Sequence, residues 1–157
     1  MSIEDDKHGA AVKFPPPLVF ILLLMIGYGI QNLWPVGIGS SSGFKYLGVA
    51  VVMLGFAIVI LVNQSFKCAE TNIEPWKPTT KIVTNGIYAY SRNPVYVGFC
   101  LIAAGTGISL NSFWILTSFI PSAILVYYLA IRKEEAYLLE KFGEEYLLYK
   151  SRVRRWM

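Results

Sequence analysis

The residues that could bind a polar ligand or do chemistry lie in two polar segments, 63–94 and 132–157. In the first, Ser91-Arg92-Asn93-Pro94 predicts the start of a helix, because proline fits the first turn, where its missing N–H would have no partner. The free N–H groups of such a start, beside Arg92, favour an anion. In the second segment, Glu134 and Glu135 can accept hydrogen bonds from hydroxyl or ammonium groups. The two segments together predict a site for a polar cofactor.

The second segment also has a simpler interpretation. Leu138, Phe142, Tyr146 and Tyr149 recur at helical spacing, interrupted by Gly143, which predicts that one helix ends there and another begins. A basic amphipathic helix of this kind can lie on an anionic membrane surface. Both interpretations of the tail stay open at the level of the sequence.

The cysteine and histidine residues provide little evidence for a reactive site. Cys68 and Cys100 form no metal motif, and His8 stands alone in an acidic N-terminal tail. The sequence therefore predicts neither a metal site nor a His-dependent nucleophile, and it identifies no catalytic residue. Gly105-Thr106-Gly107 fits close helix packing or the close approach of a ligand to the backbone.

The elements that position these segments are long apolar runs. The chain has 157 residues, 55% hydrophobic and only 15% charged, and no charged side chain lies between Lys13 and Lys45 or between Arg92 and Arg132. A soluble domain carries about 25% charged residues, so this pattern excludes an ordinary soluble domain and a broadly basic nucleic-acid binder. Because a helix needs roughly 20 residues to cross the hydrocarbon core, the 39 residues of 93–131 should cross twice.

We therefore predict an all-α integral membrane protein, because only helices or closed barrels cross lipid and these runs do not alternate. It should form a single membrane domain over residues 1–157, with a turn at Leu110-Asn111-Ser112. A cytoplasmic loop, 63–94, and a C-terminal helical segment, 132–157, should form the cofactor pocket. The four predicted transmembrane helices cover about 18–34, 44–62, 95–110 and 113–131.

The basic residues set the expected orientation. Thirteen of the fourteen Lys and Arg residues fall in the two tails and the 63–94 loop, and only Lys45 lies at the other edge. By the positive-inside rule, both termini and this loop are predicted to be cytoplasmic. Trp34, Tyr46 and Trp114 fall at the opposite interface, where amphipathic rings prefer to lie. We expect a prokaryotic plasma (inner) membrane.

Two stretches resemble a known family. The signature of the isoprenylcysteine carboxyl methyltransferases is similar to the stretch Lys81-Ile82-Val83-Thr84-Asn85-Gly86-Ile87-Tyr88-Ala89-Tyr90-Ser91-Arg92-Asn93-Pro94-Val95-Tyr96-Val97-Gly98. A second part of the same signature is similar to Glu134-Glu135 followed by Phe142-Gly143-Glu144-Glu145-Tyr146-Leu147-Leu148-Tyr149-Lys150-Ser151-Arg152-Val153. The related phospholipid methyltransferases share the pattern more loosely. The resemblance covers about residues 80–153, nearly half of the chain.

The resemblance implies a membrane methyltransferase that uses S-adenosyl-L-methionine and methylates a lipophilic small molecule, a phospholipid or a lipidated acceptor such as an isoprenylcysteine carboxylate. The charge pattern and the absence of a metal motif predict that neither a nucleic acid nor a metal is a partner. The resemblance also implies a substrate-binding role for an arginine before the paired glutamates, where Arg132 is the nearest. The cofactor-binding residues implied by the resemblance are Lys81, Ile82, Val83, Tyr88, Asn93, Pro94, Val95, Tyr96, Gly105, Gly107, Glu134 and Glu135. Arg92 is added to them because its guanidinium and the helix start beside it suit the carboxylate of the cofactor.

The sequence departs from the prenylcysteine enzymes at two positions. They carry His where this chain has Asn93, and a substrate-contacting Arg where it has Ala130. Two other functions remain as alternatives. One is a membrane reductase, since sterol reductases resemble the same region but bind NADPH, for whose extra phosphate Lys81 and Arg92 are the candidates. The other is a non-catalytic membrane scaffold.

Overall fold

The computed structural model describes residues 9, 10, 12, 14–39, 43–74 and 76–156. Every regular element in these residues is helical, which confirms the predicted all-α class. His8 and most of the N-terminal tail lie outside the described residues. The elements are α1 (Pro16–Leu33), α2 (Gly43–Cys68), a 3-10 helix (Gly86–Ala89), α3 (Pro94–Ser109), α4 (Phe113–Thr117), α5 (Phe119–Val126), a π-helical segment (Tyr127–Ile131), α6 (Arg132–Phe142) and α7 (Glu144–Arg152).

The apolar runs form the membrane-spanning helices of an integral membrane protein. Among the described residues, α1, α2 and the continuous helical stretch Phe113–Phe142 are long and apolar enough to span a membrane, and α3 is a shorter apolar helix of 16 residues. Their large apolar side chains are widely exposed: Met25 and Met53 are each 63% exposed. Such exposure suits a lipid environment, which removes the need to bury these side chains inside the protein.

The helix boundaries follow local signals in the sequence. Helix α3 begins at Pro94, as predicted. Asn111 then adopts φ +50° in the turn, a conformation that asparagine tolerates better than most residues, and the Ser112 hydroxyl accepts a hydrogen bond from the Ile115 N–H to cap α4. Helix α2 continues to Cys68, so residues 63–68 of the predicted loop are helical.

The last long helical stretch is irregular. Helix α4 ends at Thr117. In a continuous helix the Thr117 carbonyl would accept a hydrogen bond from the N–H of residue 121, but this residue is a proline and has no N–H. Further on, five residues adopt π-helical geometry before α6 begins. Gly143 separates α6 from α7, as predicted, with φ +51°, a conformation that favours glycine.

The chain divides into two compact units. One consists of Pro16–Val59 and Val95–Val126. Within it, α1 packs against α4 and α5. A Cβ atom on Gly105 would lie 2.7 Å from the Val52 backbone nitrogen and 2.8 Å from the Gly48 carbonyl oxygen, so α2 and α3 approach closely at these positions.

The other unit consists of Ile60–Pro94 and Tyr127–Met157, together with the N-terminal residues up to Pro15, as far as they are described. Here α6 packs against α7 and against the π-helical segment. This unit contains both polar segments that the sequence singled out. The prediction of one membrane domain over the whole chain stays a prediction.

Candidate cofactor site

Three charged side chains form the centre of the polar unit. The Glu135 carboxylate accepts hydrogen bonds of 2.9 Å from both Nε and Nη2 of Arg155, and its Oε1 atom also lies 3.1 Å from Nη1 of Arg92. The side chain of Glu135 is only 14% exposed. The side chain of Arg155 is 33% exposed. This cluster therefore holds two positive charges and one negative charge and is partly buried, with Arg155 on its solvent side.

Arg92 is the most enclosed member of the cluster. Its side chain is 8% exposed, and Nη1 also lies 3.4 Å from the Tyr146 hydroxyl. The buried Nε atom of Arg92 has no hydrogen-bond partner within the described structure. Buried donors are nearly always paired, so an unpaired guanidinium nitrogen beside an excess positive charge suits an anionic ligand group.

The residues after α7, Val153–Trp156, form a C-terminal strap that is hydrogen-bonded to Ser91, Arg92 and Asn93. The Arg92 N–H donates to the Arg154 carbonyl oxygen at 3.0 Å. The Asn93 side-chain amide and the Ser91 hydroxyl both donate to the Arg155 carbonyl oxygen, at 3.1 and 3.3 Å. The strap therefore fixes the position of Arg155 and that of the segment carrying Arg92.

A set of buried aromatic side chains lies in the same unit. The ring of Tyr88, in the 3-10 helix, meets the Phe66 ring edge-on, with 5.6 Å between the ring centres. The carbonyl oxygen of Tyr88 accepts a hydrogen bond from the Tyr149 hydroxyl. Burial, with a smaller contribution from the Glu134 carboxylate, raises the pKa of Tyr88 far above its usual range. This electrostatic effect indicates that Glu134 and Tyr88 lie near one another.

The loop between α2 and the 3-10 helix is attached to α6. The Thr79 N–H donates to the Tyr137 hydroxyl at 3.1 Å, and the Lys141 ammonium donates to the same oxygen at 3.0 Å. Within the loop, the Asn72 amide donates to the Pro78 carbonyl oxygen at 2.9 Å. The loop is therefore packed as a defined structure leading into the predicted cofactor residues.

The structure brings a subset of the predicted site residues together. Arg92 and Glu135 are in direct contact, Glu134 influences Tyr88, and Asn93 is tied to the strap. Pro94 is fully buried at the start of α3, while Lys81 is exposed and Ile82 and Val83 are partly buried in the same unit. Their roles toward a cofactor stay predictions.

Other predicted residues belong to the apolar unit. These are Val95, the buried Tyr96, Gly105 and Gly107. Gly105 packs against α2, and a Cβ atom on Gly107 would collide with the Leu116 backbone, so close packing accounts for both glycines. Their predicted role in cofactor binding stays a prediction.

Arg132, predicted to bind substrate, is exposed at the start of α6. Its guanidinium lies 5.8 Å from the centre of the Tyr128 ring. Ala130, at the position where the prenylcysteine enzymes carry arginine, is 1% exposed. The π-helical segment contains Ala130, so α-helical counting does not give the faces of residues on either side of it.

Sequence reasoning did not single out Arg155, and it gave Tyr146 and Tyr149 no role in the site, although both belong to the helical pattern and to the second stretch of the resemblance. Arg155 lies two residues beyond the last residue of the resemblance, so no motif marked it. The spacing of Tyr146 and Tyr149, three residues apart, was the one signal that they share a helix face. In the described part of the chain, no three His, Cys, Asp or Glu side chains are grouped to hold a metal ion.

These features define an all-helical, multi-pass membrane protein with a partly buried, net positive polar cluster. Residues 44–145 match the phospholipid methyltransferase family. The chain is 36% identical to protein-S-isoprenylcysteine O-methyltransferase B of Arabidopsis thaliana over 155 residues, which cover 97% of this chain and 74% of the plant protein.

Two further relatives share the name protein-S-isoprenylcysteine O-methyltransferase. The one from Schizosaccharomyces pombe is 42% identical over 116 residues, or 73% of this chain and 46% of the yeast protein. The human one is 37% identical over 130 residues, or 80% of this chain and 45% of the human protein. The chain thus spans about half the length of these two relatives. It belongs to the phospholipid methyltransferase family.

Proposed function

We propose that the chain is an S-adenosyl-L-methionine-dependent membrane methyltransferase that acts on a lipophilic acceptor. The family match and the similarity to isoprenylcysteine O-methyltransferases support the reaction class. The structural observation that carries the proposal is the partly buried, net positive cluster with a buried, unpaired Nε atom on Arg92. It is the kind of environment that an amino-acid carboxylate requires.

The side chains in the polar unit fit the chemical groups of this cofactor. Arg92 can bind the carboxylate, and Glu134 can accept hydrogen bonds from the ribose hydroxyls or from the ammonium group. Tyr88 offers an aromatic ring to the adenine or to the sulfonium cation. The donor set therefore matches a ligand that is anionic at one end and carries cationic and hydroxyl groups elsewhere.

When bound, the cofactor supplies an activated methyl group that can be transferred by in-line displacement. The chain then has to position the two reactants and exclude water, which can lower the barrier without a general base when the acceptor is already ionised. Tyr146 and Tyr149 are buried and the Arg92 side chain is 8% exposed, so little water reaches Arg92. A site built without histidine is compatible with this reaction.

The acceptor is proposed to be lipophilic because the chain is a membrane protein. The relatives' names refer to isoprenylcysteine, so a prenylcysteine carboxylate is the first acceptor to test. Asn93 is occupied by the strap and Ala130 carries no charge, so neither supplies a cation for such a carboxylate. We place the polar unit and both termini on the cytoplasmic side of a prokaryotic plasma membrane. Nearly all basic residues fall in the two tails and the 63–94 loop, and basic segments of membrane proteins are mostly cytoplasmic.

Binding can be tested by calorimetry on the detergent-purified protein with S-adenosylhomocysteine, the demethylated product, and with NADPH in parallel. We expect micromolar binding of S-adenosylhomocysteine and about tenfold weaker binding in Glu134→Ala, the loss of one charge-assisted hydrogen bond. Glu140→Ala is the matched control, since Glu140 is an exposed glutamate on the same helix.

Methyl transfer can then be measured with radiolabelled S-adenosyl-L-methionine and two acceptors, a farnesylcysteine derivative and phospholipid vesicles. Transfer to either one supports the proposal and identifies the acceptor class. Binding of NADPH alone would favour a reductase. Binding of neither nucleotide by folded protein would contradict the proposed activity and favour a scaffold role.

A further inference from the structure

Two arginines compete for one carboxylate in the polar cluster. Arg155 makes a bidentate contact with Glu135, with Nε and Nη2 each donating at 2.9 Å to a different carboxylate oxygen. Arg92 reaches only Oε1, at 3.1 Å through Nη1, an oxygen that it shares with Arg155. The bidentate arrangement is the stronger one for a guanidinium and a carboxylate, and Arg155 occupies it.

Arg92 is left with unsatisfied donor capacity because of this arrangement. Its Nε atom is buried and unpaired within the described structure, although its side chain is only 8% exposed. The cluster has one more positive charge than negative. A buried cation that shares its counterion with a second cation retains affinity for a further anion.

We propose that Arg155 is a positioning residue that keeps Arg92 available for the carboxylate of the methyl donor. The inference rests on the proposed function, in which Arg92 binds that carboxylate. By holding Glu135 in a bidentate contact, Arg155 prevents Glu135 from pairing fully with Arg92. Arg155 acts through Glu135 and does not itself need to touch the ligand.

The position of Arg155 is fixed from three directions. Its carbonyl oxygen accepts hydrogen bonds from Asn93 and Ser91, and its guanidinium lies 5.1 Å from the centre of the Tyr127 ring in the π-helical segment. The hydrogen bond to Glu135 raises the pKa of Arg155, so the guanidinium stays charged. These contacts hold the strap in the geometry that the bidentate pair requires.

Removal of the Arg155 side chain has a specific consequence. In Arg155→Ala both Glu135 oxygens become available to Arg92, and the pair neutralises itself. The polar cluster then has no excess positive charge, so affinity for an anionic group falls. Affinity for a ligand without that group does not fall.

The experiment compares two probes that differ only in the carboxylate, S-adenosylhomocysteine and its decarboxylated analogue. Calorimetry on the full chain in detergent gives the affinity of each. We expect the wild-type protein to prefer S-adenosylhomocysteine by about tenfold or more, the contribution of a charged hydrogen bond. In Arg155→Ala this preference should shrink to about twofold, with no loss of affinity for the decarboxylated analogue, which keeps only the cationic amine.

Arg154→Ala is the matched control. Arg154 is a neighbouring strap residue with an exposed side chain, and the contact it makes with Arg92 uses its backbone carbonyl, which alanine retains. This variant should keep the wild-type preference. If Arg155→Ala does not fold, Arg155→Gln provides the same comparison, because glutamine can still donate to Glu135 but carries no charge.

The outcomes separate this inference from the proposed function. Equal loss of affinity for both probes in Arg155→Ala would show a general structural role and overturn the inference. An unchanged preference in that variant, or no preference in the wild type, would also overturn it while leaving cofactor binding intact. Failure of the folded wild-type protein to bind either probe would overturn both the proposed function and the inference.

Discussion

The phenolic hydroxyl of Tyr149 donates a 2.8 Å hydrogen bond to the backbone carbonyl oxygen of Tyr88, and it thereby fastens α7 to the 3-10 helix. Both tyrosines are 8% exposed. The contact joins residues 61 positions apart in the chain. It therefore holds the C-terminal helix against the segment that leads to Arg92.

Tyr149→Phe should destabilise the protein without changing the shape of the side chain. The substitution removes one buried hydrogen bond and leaves the Tyr88 carbonyl without this donor, a loss of about 1 kcal/mol. Thermal unfolding in detergent at neutral pH measures it. Tyr90→Phe is the control, because Tyr90 is 78% exposed, and it should leave the midpoint unchanged. Equal midpoints for both variants would contradict this role of Tyr149.

The same hydrogen bond predicts a loss of stability at alkaline pH. Burial raises the pKa of Tyr149 above the value of about 10 for a free tyrosine, so the folded state holds the phenolic proton more tightly than the unfolded chain. Its contribution is therefore complete below about pH 10 and declines as the pH rises further. Thermal midpoints of the wild type should fall above that pH, and Tyr149→Phe should show a shallower decline. Parallel pH curves for the two proteins would count against this explanation.

Tyr137→Phe should release the loop that precedes the 3-10 helix. Its hydroxyl accepts hydrogen bonds from the Thr79 N–H and from the Lys141 ammonium, so phenylalanine removes the shared acceptor. We expect faster amide exchange at residues 77–80, with little change in α2 or α3. Tyr128→Phe, at a 57% exposed tyrosine, serves as the control. Unchanged exchange in the loop would show that other contacts hold it.

The sequence predicted the fold well because a lipid bilayer permits only helices or closed barrels to cross it. Helix α1, Pro16–Leu33, lies close to the predicted 18–34 span, and Pro94, Gly143 and the turn at Leu110-Asn111-Ser112 carried recognisable local signals. The extension of α2 to Cys68 was missed because charge and polarity mark the membrane boundary and not the end of the helix. The π-helical segment was missed because no residue type specifies it.

The candidate site was predicted only in part. The sequence pointed to Arg92 through its charge at a helix start and to Glu135 through the resemblance, and the structure places the two side chains in contact. The sequence did not predict that Arg155 takes the bidentate position on Glu135, because ion pairing between distant residues depends on tertiary geometry. The hydrogen bond from the Asn93 amide to the strap was not predicted, because it joins residues 62 positions apart, and the predicted role of Asn93 at the cofactor stays a prediction.

A substitution at Gly105 tests whether this glycine serves helix packing or ligand binding. Alanine at this position would place its Cβ atom 2.7 Å from the Val52 nitrogen, a contact with backbone that cannot easily move. Gly105→Ala should therefore lower the thermal midpoint. Gly29→Ala is the matched control on α1, where an added Cβ meets nothing within 4 Å, and it should raise stability by up to about 1 kcal/mol through helix propensity.

The two roles of Gly105 separate when stability and binding are measured on the same variant. If Gly105 only packs helices, Gly105→Ala should bind S-adenosylhomocysteine with nearly wild-type affinity well below its lowered midpoint, since a bound ligand would meet the same polar groups. If the backbone at Gly105 approaches the cofactor, affinity should fall at every temperature. A variant with a wild-type midpoint and weakened binding would reject the packing explanation and place Gly105 at the ligand.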